Sequence, residues 1–273
     1  MDAEQLDLFE SVVAGAAPFP AVDAPAAETL DDAALIAALP DAGLAGAPAL
    51  AAEAGRRRLA AAVPALEVLC RRLTGFGRDR LIPEQVAALG ALLAIGGQRS
   101  ADAVARLIAG GAFLGPTLAV AVETAARLNA TLPPATVLAL LRHPEPQVRG
   151  AACRCARPGA GVAEILIDLA EDLNPDVAAA ATCALGRMGR TEARSALRHL
   201  VGARPSAEAI DALAAVADED DIVVLSRLGR ARPDLAAAVL GSLDGIDGPR
   251  ADNAAQALRR WLSDRGGLPE PGG

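Results

Sequence analysis

Few residues of this chain are able to ligate a metal or act as a nucleophile: it has four cysteines and two histidines. Cys153 and Cys155 are close in sequence, but side chains two residues apart on a helix point about 200° away from each other, so they cannot bind one metal together. His143 and His199 do not form an HExxH pair. We therefore expect no metal site, no cofactor and no catalytic activity, and we expect Cys155 to be a packed core thiol.

Two charge clusters are the remaining candidates for chemistry. Residues 218–221 are four consecutive acids before an expected helix, where carboxylates stabilise the N-terminus by about 0.3 to 1 kcal/mol without any ion. We favour this role over calcium binding, because the spacing of an EF-hand loop is absent.

The densest basic stretch contains Arg56, Arg57, Arg58, Arg71, Arg72, Arg78 and Arg80. An acidic peptide or a phosphate backbone would fit it, but we favour a solvated, salt-bridged face.

The charge of the chain is distributed unevenly. The net charge is −8, and residues 1–55 hold ten acids and no arginine. Only 2% of the residues are aromatic, which leaves little for stacking on nucleic-acid bases and argues against direct nucleic-acid binding. The start of the chain lacks the basic region of a signal peptide, and no apolar stretch is long enough to span a bilayer. The sequence therefore predicts a cytoplasmic protein with no membrane segment.

The elements that must position these residues follow a rhythm of about thirty residues, marked by Pro83, Pro116, Pro146, Pro175, Pro205 and Pro233. Each proline is expected to open a helix, because its fixed φ suits the first turn and its missing N–H costs nothing there. The positions five and nine residues later are small in most copies, which lets a neighbouring helix approach closely. A second helix precedes each of these, and such helix pairs must stack to bury their apolar faces.

Three segments carry a family resemblance: residues 143–156 (HPEPQVRGAACRCA), residues 174–189 (NPDVAAAATCALGRMG) and, more loosely, residues 232–243 (RPDLAAAVLGSL). They resemble the HEAT repeat family, in particular the short bacterial repeats typified by phycobilisome lyases. The resemblance implies an all-α, right-handed α-solenoid of about six helix pairs, and it places Arg149 in a ladder between copies. It also implies a non-enzymatic scaffold or adaptor that binds a protein partner on the solenoid surface. The alternative is a phycobilisome-lyase-like assembly factor or chaperone acting on a partner protein.

The domain organisation follows from these patterns. We predict a flexible N-terminal segment at 1–28, an N-terminal helical cap at 29–63, the solenoid at 64–264 and a disordered tail at 265–273. Within the cap, Thr29 and Asp32 have the spacing of a capping box. A second helix is expected from Pro48 through residue 63.

Five residues near the start match a short linear motif without a mismatch. They resemble Gln-Leu-Ser/Asp-Leu-Phe, the peptide by which bacterial polymerases and repair proteins bind the sliding clamp of replication. The resemblance implies that Gln5 anchors the peptide by hydrogen bonds and that Leu6, Leu8 and Phe9 fill hydrophobic pockets. Asp7 stands at the position that tolerates either Ser or Asp. The implied partner is the sliding clamp, and the implied setting is DNA replication or repair.

The same stretch has a second interpretation. Leu6, Phe9 and Val13, with Leu8 and Val12 beside them, recur at helical spacing. An amphipathic helix with this pattern would cover one end of the solenoid instead of docking on a partner. Both interpretations are open on the sequence alone.

Overall fold

The computed structural model of the chain describes residues 27–43 and 45–264, and in these it is all-α with no strand. The α-helices of this part, numbered in chain order, are α1 (Asp32–Ala38), α2 (Ala47–Arg56), α3 (Val63–Arg72), α4 (Pro83–Ile95), α5 (Gly97–Ala109), α6 (Gly115–Arg127), α7 (Pro134–Leu141), α8 (Pro146–Cys155), α9 (Val162–Leu169), α10 (Pro175–Arg187), α11 (Arg194–Ala203), α12 (Ala207–Ala214), α13 (Glu219–Ala231), α14 (Ala236–Asp244) and α15 (Pro249–Asp264). The predicted fold class, all-α, is confirmed. The predicted segments 1–28 and 265–273 lie outside the described residues except for Ala27 and Glu28.

The helices from α2 onward alternate between two layers. The even layer consists of α2, α4, α6, α8, α10, α12 and α14, and each of these helices packs against the next one. The odd layer, α3 to α15, packs on the even layer. Between α5 and α13 neighbouring odd helices contact one another less extensively than neighbouring even helices do, whereas α13 and α15 pack closely. This arrangement is an α-solenoid, as the stacking of helix pairs predicts.

Prolines stand at the beginning of the even helices, as expected. Pro83, Pro146 and Pro175 are the first residues of α4, α8 and α10, and Pro116 is the second residue of α6. The last two copies differ. Ser206 caps α12, its hydroxyl accepting the N–H of Ala209 at 3.2 Å. The last repeated proline, at 233, begins a 3-10 turn that runs into α14.

The small-residue stripe forms the contact between neighbouring even helices. The residues five and nine positions after the prolines are buried in the first four copies: Ala88, Leu92, Ala121, Ala125, Ala151, Cys155, Ala180 and Ala184. Gly55 on α2 shows how close the helices come, since a Cβ there would lie 2.9 Å from the Cα of Ala91 on α4. Backbones approach this closely only where side chains are small.

The N-terminal cap differs from its prediction in two places. Asp31, not Thr29, caps α1, and its Oδ1 accepts the N–H of Ala34 at 2.8 Å. The helix expected to run from Pro48 to residue 63 ends at Arg56. The chain turns at Arg58, whose φ is 53°, before α3 begins. A left-handed residue interrupts the hydrogen-bond ladder of a helix, and residue propensities do not reveal such a turn.

Close helix packing makes a specific stability prediction at Gly186 on α10. A Cβ there would lie 2.6 Å from the carbonyl oxygen of Ala212 on α12 and 2.6 Å from Cδ1 of Leu197. Gly186→Ala should therefore lower the free energy of unfolding by about 1 to 3 kcal/mol, the usual cost of an overpacked core. Urea denaturation followed by circular dichroism measures this change.

The matched control is Gly90→Ala on α4, where a Cβ meets nothing within 4 Å. That replacement should raise the free energy of unfolding by about 0.5 to 1 kcal/mol, because alanine is the better helix former. Equal effects of the two replacements would show that α10 and α12 do not approach as closely as described.

Candidate functional site

The residues predicted to bind a partner lie outside the described part of the chain. They are Gln5, Leu6, Asp7, Leu8 and Phe9. Their role stays a prediction, and the candidate surface within the described residues must be sought on the solenoid.

The exposed face of the even layer carries an open furrow of about 590 Å³ between α6 and α8. Its floor is apolar, formed by Pro116, Ala119, Val120 and Val148, and Gln147 lies beside them. The furrow continues past Ala119, Val120 and Gln147 toward the C-terminal half of α6. An open apolar floor with polar residues at the rim suits a protein segment better than an enclosed small molecule.

One wall of the furrow is the loop between α3 and α4, residues 73–82, which is held in place by α6. The backbone N–H of Ile82 donates to Oγ1 of the buried Thr117 at 3.1 Å. Gly115 has a φ of +50°, and a Cβ on it would lie 2.0 Å from the carbonyl oxygen of Arg78. Only glycine fits here. The sequence reading did not single out Gly115, because its role depends on a loop more than thirty residues away.

This loop exposes side chains that are able to contact a partner. Phe76 is 62% exposed and Leu81 is 48% exposed. Arg78 and Arg80 are exposed as well, and neither makes an ion pair or side-chain hydrogen bond within residues 27–43 and 45–264. Exposed aromatic and arginine side chains beside an apolar furrow have the composition of protein interaction sites.

The basic stretch from residue 56 to residue 80 is largely neutralised within the fold. Arg56 and Arg57 pair with Glu53, Arg71 pairs with Glu67 at 2.8 Å, and Arg72 donates to the carbonyl oxygens of Pro40 and Ala42. The predicted salt bridges are therefore confirmed for Arg56, Arg57 and Arg71, whereas Arg72 is bound by backbone carbonyl oxygens instead. Among the described residues, Arg58, Arg78 and Arg80 make no such contact, so the part of the stretch left for a partner is the loop at the furrow.

Arg57 fastens the N-terminal end of the described chain to α2. Its guanidinium donates to the carbonyl oxygens of Leu30 at 2.8 Å and Glu28 at 3.1 Å, and to Oδ1 of Asp32 at 2.9 Å. Its Nε donates to Oε1 of Glu53 at 2.6 Å. The hydrogen bonds from Arg56 and Arg57 lower the pKa of Glu53 to about 2 from its usual 4.5.

Arg149 forms the cross-repeat contact that the family resemblance implied. It lies on α8, and its Nε and Nη2 donate to the two carboxylate oxygens of Asp172, just before α10, at 2.9 and 3.0 Å. Its Nη1 also donates to the carbonyl oxygens of His143 and Pro144 at 3.0 and 2.7 Å. The Arg149 and Asp172 side chains are 18% and 10% exposed. This fork therefore links two successive repeats in a partly desolvated setting.

The acidic cluster at residues 218–221 caps a helix, as predicted. The Asp218 side chain accepts the N–H groups of Asp220 and Asp221 at 3.0 and 3.1 Å, and Asp221 Oδ2 accepts the N–H of Asp218 at 3.1 Å. The N–H donated by Asp221 lowers the pKa of Asp218. Arg194 and Arg198 of α11 pair with both carboxylates. The carboxylates of Asp218 and Asp221 are thus occupied by donors of the protein itself.

All four cysteines are buried and free of disulfides. Burial raises the pKa of each thiol, Cys70, Cys153, Cys155 and Cys183, to about 12. The Cys155 Sγ lies 3.3 Å from the carbonyl oxygen of Val122 on α6, so Cys155 is the packed core thiol that was predicted. A thiol with this pKa carries almost no thiolate, the nucleophilic form, at neutral pH.

Within 27–43 and 45–264, no three His, Cys, Asp or Glu side chains come together in a way that could hold a metal ion. No helix in this part of the chain combines the length and the apolar character that crossing a membrane requires.

Comparison with known proteins supports the repeat assignment. A family model described as HEAT repeats matches residues 133–215. This stretch runs from α7 to α12 and contains three of the stacked helix pairs, including the link between Arg149 and Asp172. The chain matches none of the proteins of curated function.

The link between Arg149 and Asp172 predicts a large effect of breaking it. Arg149→Met should lower the free energy of unfolding by about 2 to 3 kcal/mol, because a poorly hydrated carboxylate loses its partner. Arg142→Met is the matched control, since Arg142 is exposed and makes no ion pair or side-chain hydrogen bond within the described residues; it should change stability by less than about 0.5 kcal/mol. Chemical denaturation of both variants tests whether the ion pair between Arg149 and Asp172 stabilises the stacked helices.

Glu53 makes stability depend on pH in acid. Its pKa is lower in the folded state than in the unfolded state, so its contribution is complete above about pH 4.5 and is lost as the pH falls toward 2. Glu53→Gln should therefore melt several degrees below the parent at pH 7. This difference should shrink steadily between about pH 4.5 and 2, which thermal melts at stepped pH would record. A difference that stays constant over that range would contradict the pairing with Arg56 and Arg57.

Proposed function

We propose that the protein is a non-enzymatic scaffold or adaptor of the HEAT-repeat type, built as a right-handed solenoid of about six helix pairs. A protein partner would bind on the exposed face of the even layer. The observation that carries this proposal is the open apolar furrow between α6 and α8, with the exposed Leu81 at its wall and the exposed Phe76 in the same loop. The match to HEAT repeats over residues 133–215 supports it, because such repeats generally bind proteins.

We further propose that residues 5–9 tether this scaffold to the bacterial sliding clamp, in the cytoplasm, in DNA replication or repair. The support is the sequence Gln-Leu-Asp-Leu-Phe itself, which fits the clamp-binding pattern at every position. The motif is separated from the solenoid by residues 10–26. That length allows the motif and the furrow to engage different partners at the same time.

A peptide of residues 1–15 should bind the purified clamp with a micromolar dissociation constant, which corresponds to about −8 kcal/mol. The double replacement Leu8→Ala and Phe9→Ala should abolish binding, because these side chains would fill the apolar pockets. Asp7→Ser is the matched control and should bind like the parent, since the motif accepts Ser or Asp there. Fluorescence anisotropy measures all three peptides.

The same double replacement in the full chain separates the tether from the capping helix. A tether predicts an unchanged melting temperature. If the melting temperature falls by many degrees, and neither the parent nor the variant binds the clamp, then residues 5–9 cover the solenoid and the tether is wrong.

A further inference from the structure

A second surface lies at the edge of the even layer where its helices end. A pocket of about 220 Å³ there is lined by the last residues of α6 and α8, the loop after α8 and the end of α10. Arg154, Arg157 and Arg187 line it together with Ala126 and Met188, and no carboxylate is among its lining residues. This composition favours an occupant with acidic and apolar side chains.

The arginines of this pocket differ in their unused hydrogen-bonding capacity. Arg187 pairs with Glu208 at 2.9 Å and donates to the carbonyl oxygen of Cys153 at 3.3 Å. Arg154 forms longer ion pairs with Glu123 and Glu208, at 3.4 and 3.5 Å. Arg157 donates through Nη2 to the carbonyl oxygen of Asn129 at 3.1 Å. A guanidinium has five N–H donors and binds carboxylates in a fork, so Arg154 and Arg157 are each able to donate hydrogen bonds to a further carboxylate. The exposed Arg127, at the end of α6, lies near the same edge and makes no ion pair or side-chain hydrogen bond within the described residues.

The start of the chain has the complementary chemistry. Residues 1–55 contain ten acids and no arginine. The first ten residues combine four of these acids with three large apolar residues; these are Asp2, Glu4, Asp7 and Glu10, with Leu6, Leu8 and Phe9. The negative charge of this segment therefore attracts it to an arginine-lined pocket.

The segment also enters the fold at the matching edge. Arg57 holds Glu28 and Leu30 at the C-terminal end of α2. The even helices run parallel, since Gly55 near the end of α2 lies against Ala91 in the C-terminal half of α4 and the pocket joins the ends of α6, α8 and α10. The pocket is thus about three helix spacings from α2, or about 24 to 30 Å. The sixteen residues from 11 to 26 are able to span up to about 50 Å.

We propose that residues 2–10 dock, within the same chain, on the pocket lined by Arg154, Arg157 and Arg187. The carboxylates of the segment pair with the guanidinium groups of Arg154 and Arg157, and an apolar side chain of the segment contacts Ala126 and Met188. This docking does not depend on clamp binding. Where both occur, the same residues are shared between the pocket and the clamp, so one excludes the other.

Photo-crosslinking in the full-length protein tests this, with a benzophenone amino acid in place of Phe9. We expect crosslinks within one chain, to residues 126–130, 154–158 or 187–188, with a yield that does not change on dilution. Raising NaCl from about 0.05 to 0.5 M should lower the yield several-fold, because salt screens exposed charges. Crosslinks to any other part of the chain, crosslinks only between chains, or no crosslinks would overturn the proposal.

Paired arginine variants give the control. Arg127→Gln with Arg157→Gln should lower the crosslink yield about tenfold. Arg142→Gln with Arg230→Gln removes two exposed arginines elsewhere and should leave it unchanged. An equal loss in both pairs, with unaltered melting temperatures, would mean that only the net charge matters and would contradict a defined pocket. No clamp is present in this experiment, so its outcome is independent of the tether test with the isolated peptide.

Discussion

Close contact between parallel helices of the even layer is the interaction on which the rest of this structure depends. Gly55 against Ala91, and Gly186 against Ala212, bring helix backbones together where a single methyl group would collide. Between α5 and α13 the odd helices contact one another less extensively than the even helices do. The furrow between α6 and α8 and the row of helix ends at one edge both belong to this close-packed even layer.

Polar contacts then fix successive repeats against each other. Arg149 joins α8 to the turn before α10, and Arg198 joins α11 to the first turn of α13. The four thiols are buried with a pKa of about 12. The groups left with free hydrogen-bonding capacity, such as Arg78 and Arg154, lie at the furrow and at the helix ends. These free groups are the reason for proposing that the surface binds other polypeptide segments.

The sequence predicted the repeating parts of the fold well, because their causes are local. Pro83, Pro146 and Pro175 begin helices, and Ala121 and Ala180 are buried at the positions that the spacing indicated. Features that depend on distant partners were missed. Gly115 is required by the carbonyl oxygen of Arg78, and the pocket at Arg154 and Arg157 needs the ends of three helices side by side. Neither of these two features produces a periodic pattern in the sequence. The motif at residues 5–9 was recognisable only as a linear pattern.

Native-state hydrogen exchange, resolved by peptide, tests most directly whether the stacking of the even helices is the main source of the stability of the fold. Amides that open only when neighbouring helices separate exchange slowly. The account predicts slower exchange in α8 and α10, which pack on an even helix at each side, than in α7, α9 and α11. Exchange in the odd helices that is as slow as in α8 and α10, or slower, would contradict it.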